Sequence, residues 1–262
     1  TRLFVAMLFP SLQSQLDKSV EFSTPMTSYR SLCEGVYMLK SNFRLYDGGV
    51  VHHPPLLVML MSLVSSEGVP AVLYAGLDTI IAYQILVMTR LFVANIRVPV
   101  WLPSLLYALN PLVLLSCISQ SSVIFTNVCI STSLLCALQG NAVGCSLAIA
   151  MAGYLSLYPI LLILPLAAIL TTNQERSKLF GFAGGISGVL LGLSYWSMGE
   201  SWDFVRSTYG SIITFEKLFP NLGLWWYFFI EMFEMFLPFF KAVFNLFLVS
   251  FIGPITIRFH KQ

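Results

Sequence analysis

The sequence predicts an all-α, polytopic helical membrane protein, and three observations carry that prediction. Of 262 residues, 57% are apolar and only 10% charged, and the mean hydropathy is +0.80. Such a balance leaves too little polar surface to cover a water-soluble domain. Charge is also absent from a long stretch: no Asp, Glu, Lys, Arg or His occurs from Val98 to Gln174. At about 20 residues per crossing, that run holds several transmembrane helices. Finally, the apolar blocks are continuous and rich in Leu, Ala, Phe and Gly. A transmembrane barrel would show segments of about 10 residues alternating apolar with polar, so helices are the spanning element. A formal net charge of +2 builds no basic face for a row of phosphates, which excludes nucleic acid as a partner.

The elements follow in chain order. Arg2 and a short apolar stretch to about Phe9, with neither an initiator Met nor a signal-cleavage pattern, read as the tail of a first membrane helix in a fragment. Ser11 to Gly49 is polar, ends in the Asp47-Gly48-Gly49 turn signal, and lies outside the bilayer. After His52-His53-Pro54-Pro55, Leu56 to Val64 is short for a crossing and dips into the membrane or lies at its interface. Val69 to Met88 is long enough to cross, and Arg90 and Arg97 then mark the cytoplasmic side. Within the uncharged run, Asn110-Pro111, Gln139-Gly140-Asn141 and Tyr158-Pro159 are the expected breaks, giving two to four crossings. Their number is even if Glu175, Arg176 and Lys178 return to the cytoplasmic side. Leu179 to Met198 crosses once and delivers Gly199 to Asn221 to the opposite side. Leu222 to Ile257, with Pro238 and Lys241 near its middle, reads as two helices or one broken helix.

Asp78, near the centre of the Val69 to Met88 block, is a functional candidate because an intramembrane charge is costly without a partner. It also shares a small-residue stripe with Ala71, Ala75 and Ala82, which suits close helix packing equally well. Gly184, Gly188 and Gly192, with Gly181 and Gly185, form overlapping G-x-x-x-G units, a helix-association signal rather than a chemical one. The polar string Ser116 to Ser122, followed by Thr126 and Asn127, either lines a cavity or bonds back to its own helix. Glu231 and Glu234 stand three residues apart, hence on one helix face at depth, so that one is protonated or both meet partners such as Lys241. Trp225, Trp226 and Tyr227 read as an interfacial belt. His52 and His53 lack a further ligand at metal-binding spacing, and no metal is expected. Cys117, Cys129, Cys136 and Cys145 lie in the uncharged run and make no disulfide framework. Nucleophile-elbow, Walker, dinucleotide and HExxH motifs are absent.

Three segments carry a resemblance. They are VEFSTPMTSYRSLCEGVYMLKSNFRLYDGGVVHHPPLL (Val20 to Leu57), LLYALNPLVLLSCISQSS (Leu105 to Ser122) and ESWDFVRSTYGSIITFEKLFPNLGLWWYFFIEMFE (Glu200 to Glu234). In SWDF, the P-N-x-G-L-x-W-Y-F-F run and E-M-F-E, the chain resembles the PIG-U subunit family of the glycosylphosphatidylinositol (GPI) transamidase, in a fungal-type version. Family members begin before Thr1 and continue beyond Gln262, which implies a fragment or an omitted loop near Arg90 to Arg97.

The resemblance implies one multi-pass domain over residues 1–262 on a helical scaffold like that of the membrane (GT-C-like) glycosyltransferases. Its lumenal loops would be residues 11–54 and 199–221. It implies a non-catalytic subunit in the endoplasmic reticulum membrane that assists recognition of the GPI lipid. Catalysis belongs to the PIG-K subunit, and the other partners are PIG-T, PIG-S, the GPI attachment protein and membrane lipids; no cofactor is expected. Asp203, Asn221, Trp225 and Trp226 are the headgroup candidates, and Glu231 and Glu234 the deeper ones. The alternative is a dolichol-phosphate-mannose-dependent mannosyltransferase, similar in the first lumenal loop and in N-P-x-x-x-x-S. Those enzymes carry an Asp-x-Asp-like pair where this chain has Glu21-Phe22-Ser23, although Asp17 and Glu34 lie near.

Overall fold

The computed structural model describes residues 2, 10–19, 22, 24, 26–64, 68–92, 99–214 and 225–260. Among them every regular element is helical, which lets a chain in lipid satisfy its backbone hydrogen bonds within each segment. Val69–Leu91, Asn173–Ser197 and Glu234–Phe259 are each long and apolar enough to cross a membrane alone.

Helices α1 (Pro10–Lys18) and α2 (Tyr29–Lys40) belong to the first polar region. The Ser28 hydroxyl caps α2 by accepting the Ser31 N–H at 3.4 Å. Leu32 and Val36 then turn inward on the same face. The short apolar segment forms α3 (Pro55–Val64), which packs along α2 through Leu57, Val58 and Met61 instead of crossing alone. Gly35 permits that approach: a Cβ there would stand 3.2 Å from Val51 Cγ1 and 3.4 Å from Val58 Cγ1.

From this loop end α4 (Val69–Phe92) runs away, its Tyr74 ring edge-on to Tyr29 at 6.2 Å. The uncharged run then makes four antiparallel legs, and cross-helix bonds fix their direction. The first leg joins α5 (Leu102–Leu109) to α6 (Pro111–Ile118). Ser104 donates to the Ala82 carbonyl at 2.6 Å and Tyr107 to Asp78 at 2.6 Å, so this leg climbs back along α4. At its top the Ser122 N–H reaches the Thr27 carbonyl at 3.0 Å. The second leg, α7 (Val123–Leu138), descends with Phe125 edge-on to Tyr74 at 5.4 Å and Gln84 donating to Thr132 at 2.8 Å. The third, α8 (Ala142–Leu155), returns until the Tyr154 hydroxyl accepts the Leu56 N–H at 3.2 Å. A 3-10 turn (Tyr158–Leu162) and α9 (Ile163–Ile169) make the fourth. Arg90 and the start of α10 (Asn173–Ser197) therefore lie at the end opposite the polar loops.

Local chemistry explains the breaks. Asn110 Oδ1 accepts the Leu112 N–H at 2.9 Å ahead of Pro111, and Asn141 Oδ1 accepts the Gly144 N–H at 3.0 Å after Gly140 at φ +72°. A further break at Ser119–Ser122 turns through Gln120 at φ +55°, a residue type that carries no turn signal of its own.

Beyond α10, Gly199 and Glu200 at φ +68° and +63° reverse the chain into α11 (Asp203–Val205), a π-turn (Arg206–Gly210) and α12 (Ser211–Thr214). The last apolar stretch comprises α13 (Trp225–Glu231), a 3-10 turn (Glu234–Phe236), α14 (Leu237–Ser250) and α15 (Ile252–His260). Pro238 requires the interruption, because within a continuous helix its ring would clash with the carbonyl of Glu234. Helix α15 seats on α9, whereas no residue of α14 is buried.

Candidate functional site

The loop end brings together two polar segments far apart in sequence. The π-turn widens the backbone at Arg206–Gly210, and its Ser207 carbonyl accepts both the Ser211 hydroxyl and, at 2.8 Å, His52 Nδ1. The adjacent His53 turns the other way, its Nε2 on the Ser28 carbonyl at 3.1 Å, and Tyr46 donates to the His53 carbonyl at 2.9 Å. Burial pushes the His53 imidazole down to about 4, so it is neutral near pH 7. Tyr154 ties the centre: it shares a hydrogen bond with Ser194 at 2.5 Å, and its carbonyl accepts Tyr209 at 2.5 Å.

Two cavities flank this clamp. The larger, about 660 Å³, is the more polar of the two and lies between Asn42, Arg44 and Asp47 of the first loop and Ser201 and Asp203 of the second. SWDF forms its wall for local reasons. The Ser201 hydroxyl accepts the Asp203 N–H at 3.1 Å and donates to the Asp203 carboxylate, while Phe204 is buried and Trp202 stacks between Tyr195 and Phe204 at 4.8 and 5.8 Å. The second cavity, about 420 Å³, is mostly apolar and lined by Ile212, Ile213, Trp226, Phe229 and Phe244, with Lys241 as its charged member. This pairing of a polar cleft with an apolar cavity suits an amphiphile better than a soluble metabolite.

A third cavity, about 320 Å³, lies between α4, α5, α6 and α7, with Asp78, Tyr107, Ser116, Cys117, Ser121 and Asn127 in its wall. Asp78 is fully buried, ion-paired with Arg2 and bonded to Tyr107. Among the described residues, no three His, Cys, Asp or Glu side chains gather as metal ligands.

The model of the family described as GPI transamidase subunit PIG-U matches residues 1–262. The chain belongs to the PIG-U family. It is 56% identical over 265 residues to the "GPI transamidase component GAB1" of Saccharomyces cerevisiae, covering 100% of this chain and 66% of that protein. It is 29% identical over 291 residues to the "GPI-anchor transamidase component PIGU" of Homo sapiens, covering 97% of this chain and 67% of that protein. The Schizosaccharomyces pombe "GPI transamidase component GAB1 homolog" is 28% identical over 259 residues, covering 94% of this chain and 63% of that protein. The chain thus spans about two thirds of the length of the curated relatives it matches.

Against this PIG-U framework the sequence-predicted residues separate. Asp203 lines the polar cleft and Trp226 the apolar cavity. Trp225 is the first residue of α13, and Asn221 lies outside the described residues, as do Glu21 and Ser23. The expectation that Glu231 and Glu234 share one helix face is corrected. Helix α13 ends at Glu231, Phe233 is extended (φ −62°, ψ 139°), Glu234 opens a separate 3-10 turn, and both acids are exposed. Among the described residues no ion pair joins either to Lys241. Asp17 accepts a 3.5 Å bond from Ser28, and Glu34 pairs with Arg30 at 3.2 Å on the surface.

The polar string does both things expected of it. Ser116 and Ser119 bond back to Leu112 and Ser116, whereas Ser121 and Ser122 reach across to Thr27. A Cβ added at Gly184, Gly188 or Gly192 would meet nothing within 4 Å, because α10 buries Leu179, Ala183 and Ser194 on its other side. The sequence reading missed Arg44, Asp47, Tyr158 and Asn245. Proximity to SWDF is a three-dimensional property, although an Asn within an otherwise apolar helix was a readable signal for Asn245.

Proposed function

We propose that this PIG-U family chain is a non-catalytic, multi-pass subunit of a GPI transamidase in the endoplasmic reticulum membrane, where it assists recognition of the GPI lipid. The observation that carries the reading is the family match over the whole chain, with relatives named as transamidase components. Those names favour a transamidase role over the mannosyltransferase alternative. In this reading the loop end faces the lumen and Arg90 and Arg176 the cytosol, in keeping with the positive-inside rule. Asp203, Asn221, Trp225 and Trp226 meet the headgroup, Glu231 and Glu234 contact lipid or a neighbouring subunit, and the peptide-cleaving nucleophile is supplied by PIG-K.

The full-length protein, purified at native abundance in mild detergent, is expected to carry PIG-K, PIG-T, PIG-S and the GPI attachment protein. Recovery alone, or only with unrelated partners, overturns the proposal. Cysteines substituted at Ser41 and Ser207 are expected to label from the same side of the membrane; labelling from opposite sides contradicts the topology.

A further inference from the structure

We propose that the cavity beside Lys241 is a resident-lipid site that holds the phosphodiester and upper chain atoms of a bilayer glycerophospholipid, separate from the lipid being attached to protein. Four observations lead there. First, the chemistry of the cavity is that of an amphiphile with one negative charge. Ile212, Ile213, Phe229 and Phe244 form an apolar wall, Lys241 is the one charged lining group among the described residues, and the space of about 420 Å³ exceeds what a water cluster or simple anion needs.

Second, the lysine has no counter-charge among the described residues. The ion pairs among the described residues are Arg2–Asp78, Arg30–Glu34, Arg44–Asp47 and Lys178–Glu175, and none includes Lys241. An ammonium in an apolar helix calls for a partner. Two neighbouring polar groups are committed to each other and to the backbone: Tyr158 donates to Asn245 Oδ1 at 2.7 Å, and Asn245 Nδ2 donates to the Lys241 carbonyl at 2.9 Å. The ammonium, with Ser156 in the same wall, remains to meet an anion.

Third, Lys241 stands near one end of its apolar span. Lys241 is the fifth residue of α14 and the eighth of the apolar span Glu234–Phe259, about 10 Å along the axis from the start of that span. A long lysine side chain at that level reaches the interface readily. Fourth, the cavity borders a helix that stays largely outside the bundle. Helix α15 is seated on α9 and Asn245 is tied to Tyr158, whereas α14 buries no residue, so the span is held away from the bundle beside α12 and Trp226. A protein helix inserted there would satisfy Lys241 only by bringing its own carboxylate. A phospholipid brings charge and chain together and is the solvent of this surface.

The inference does not rest on the proposed GPI-recognition role, and the test keeps the two apart. The full-length protein in its native complex is transferred to phosphatidylcholine nanodiscs doped with phosphatidylinositol, and retained phospholipid is counted by native mass spectrometry after a detergent wash. Lys241→Met, which removes charge but preserves an apolar stem, is expected to weaken retention about fivefold, the ratio that corresponds to about 1 kcal/mol for a basic residue at an anionic surface. Lys241→Arg is expected to retain the lipid, and Ile213→Trp, which fills the cavity, to lose it with Lys241 intact. Subunit recovery in the same preparation reports assembly; should Lys241→Met fail to assemble, the contrast of Lys241→Arg with Ile213→Trp decides. Unchanged retention in Lys241→Met or in Ile213→Trp overturns the site. So does loss of the lipid from wild-type protein made in cells blocked at the first step of GPI synthesis, which would identify the occupant as the anchor precursor. A cross-link from Lys241 to another subunit's carboxylate also overturns it.

Discussion

Acidic residues set in apolar sequence meet opposite fates in two regions of this PIG-U chain. In the α4–α7 bundle Asp78 is fully buried, ion-paired with Arg2 and bonded to Tyr107, and a turn and a half away Gln84 joins Ser131 and Thr132. Between Trp225 and His260, Glu231 and Glu234 stand exposed on either side of a helix break, and Lys241 faces a cavity with no carboxylate among its described lining residues. The difference teaches that hydropathy alone does not decide what an intramembrane charge does. Where several helices converge, partners from distant sequence make the charge an internal fastener. Where a helix barely touches the bundle, the same residue types find no ion-pair partner among the described residues.

The comparison breaks most visibly at Asp78. Asp78→Ala leaves the Arg2 guanidinium buried without counter-charge, and the expected loss is about 3–5 kcal/mol of stability, whereas replacing both residues by Met restores most of it. Thermal unfolding in detergent measures both; a mild single variant or an equally damaging double variant would show that the pair is not an internal fastener.

His53 extends the comparison to a buried neutral group. Its folded value of about 4 lies below the ordinary 6.5, so between those pH values the unfolded chain binds the proton and the folded chain does not. Stability is therefore complete above about pH 6.5 and falls as the pH drops towards 4, by about 3 kcal/mol in all. Melting curves across that window test it, and His53→Asn is expected to flatten the slope.

Gln84→Leu is expected to cost about 1 kcal/mol, since Ser131 and Thr132 keep their bonds to the Val128 carbonyl. Glu231→Gln with Glu234→Gln is the smallest change in the isolated chain, within about 0.5 kcal/mol for exposed sites. In the complex the same pair is expected to reduce GPI attachment. Normal assembly and attachment would make these carboxylates dispensable.

Much of the fold was legible because its signals are local. Asn110-Pro111, Gly140-Asn141 and Tyr158-Pro159 each break a helix through capping, φ or a missing N–H, and each does so regardless of tertiary context. The turn at Gln120 and the extended residue Phe233 were not legible, because neither residue type prefers the conformation it adopts. Pro238 did announce a break, yet not that the break would separate Glu231 from Glu234. At the candidate site Asp203 and Trp226 could be picked out from their motifs, but their assignment to different cavities depends on where α12 and α14 pack. Asp78 was identifiable as costly, while its partner, seventy-six positions earlier, was not.

The bond between His52 and the Ser207 carbonyl spans 155 positions, and this sets a clock on biosynthesis. At about 5–20 residues per second, roughly 10–30 s separate the emergence of His52 from that of its acceptor. Throughout that interval the first polar segment waits without its clasp, and the Leu56 N–H waits about two thirds as long for Tyr154, 98 positions downstream. The newborn chain thus elongates through that interval with an unfastened amino-terminal region, the period in which a chaperone has the most to shield.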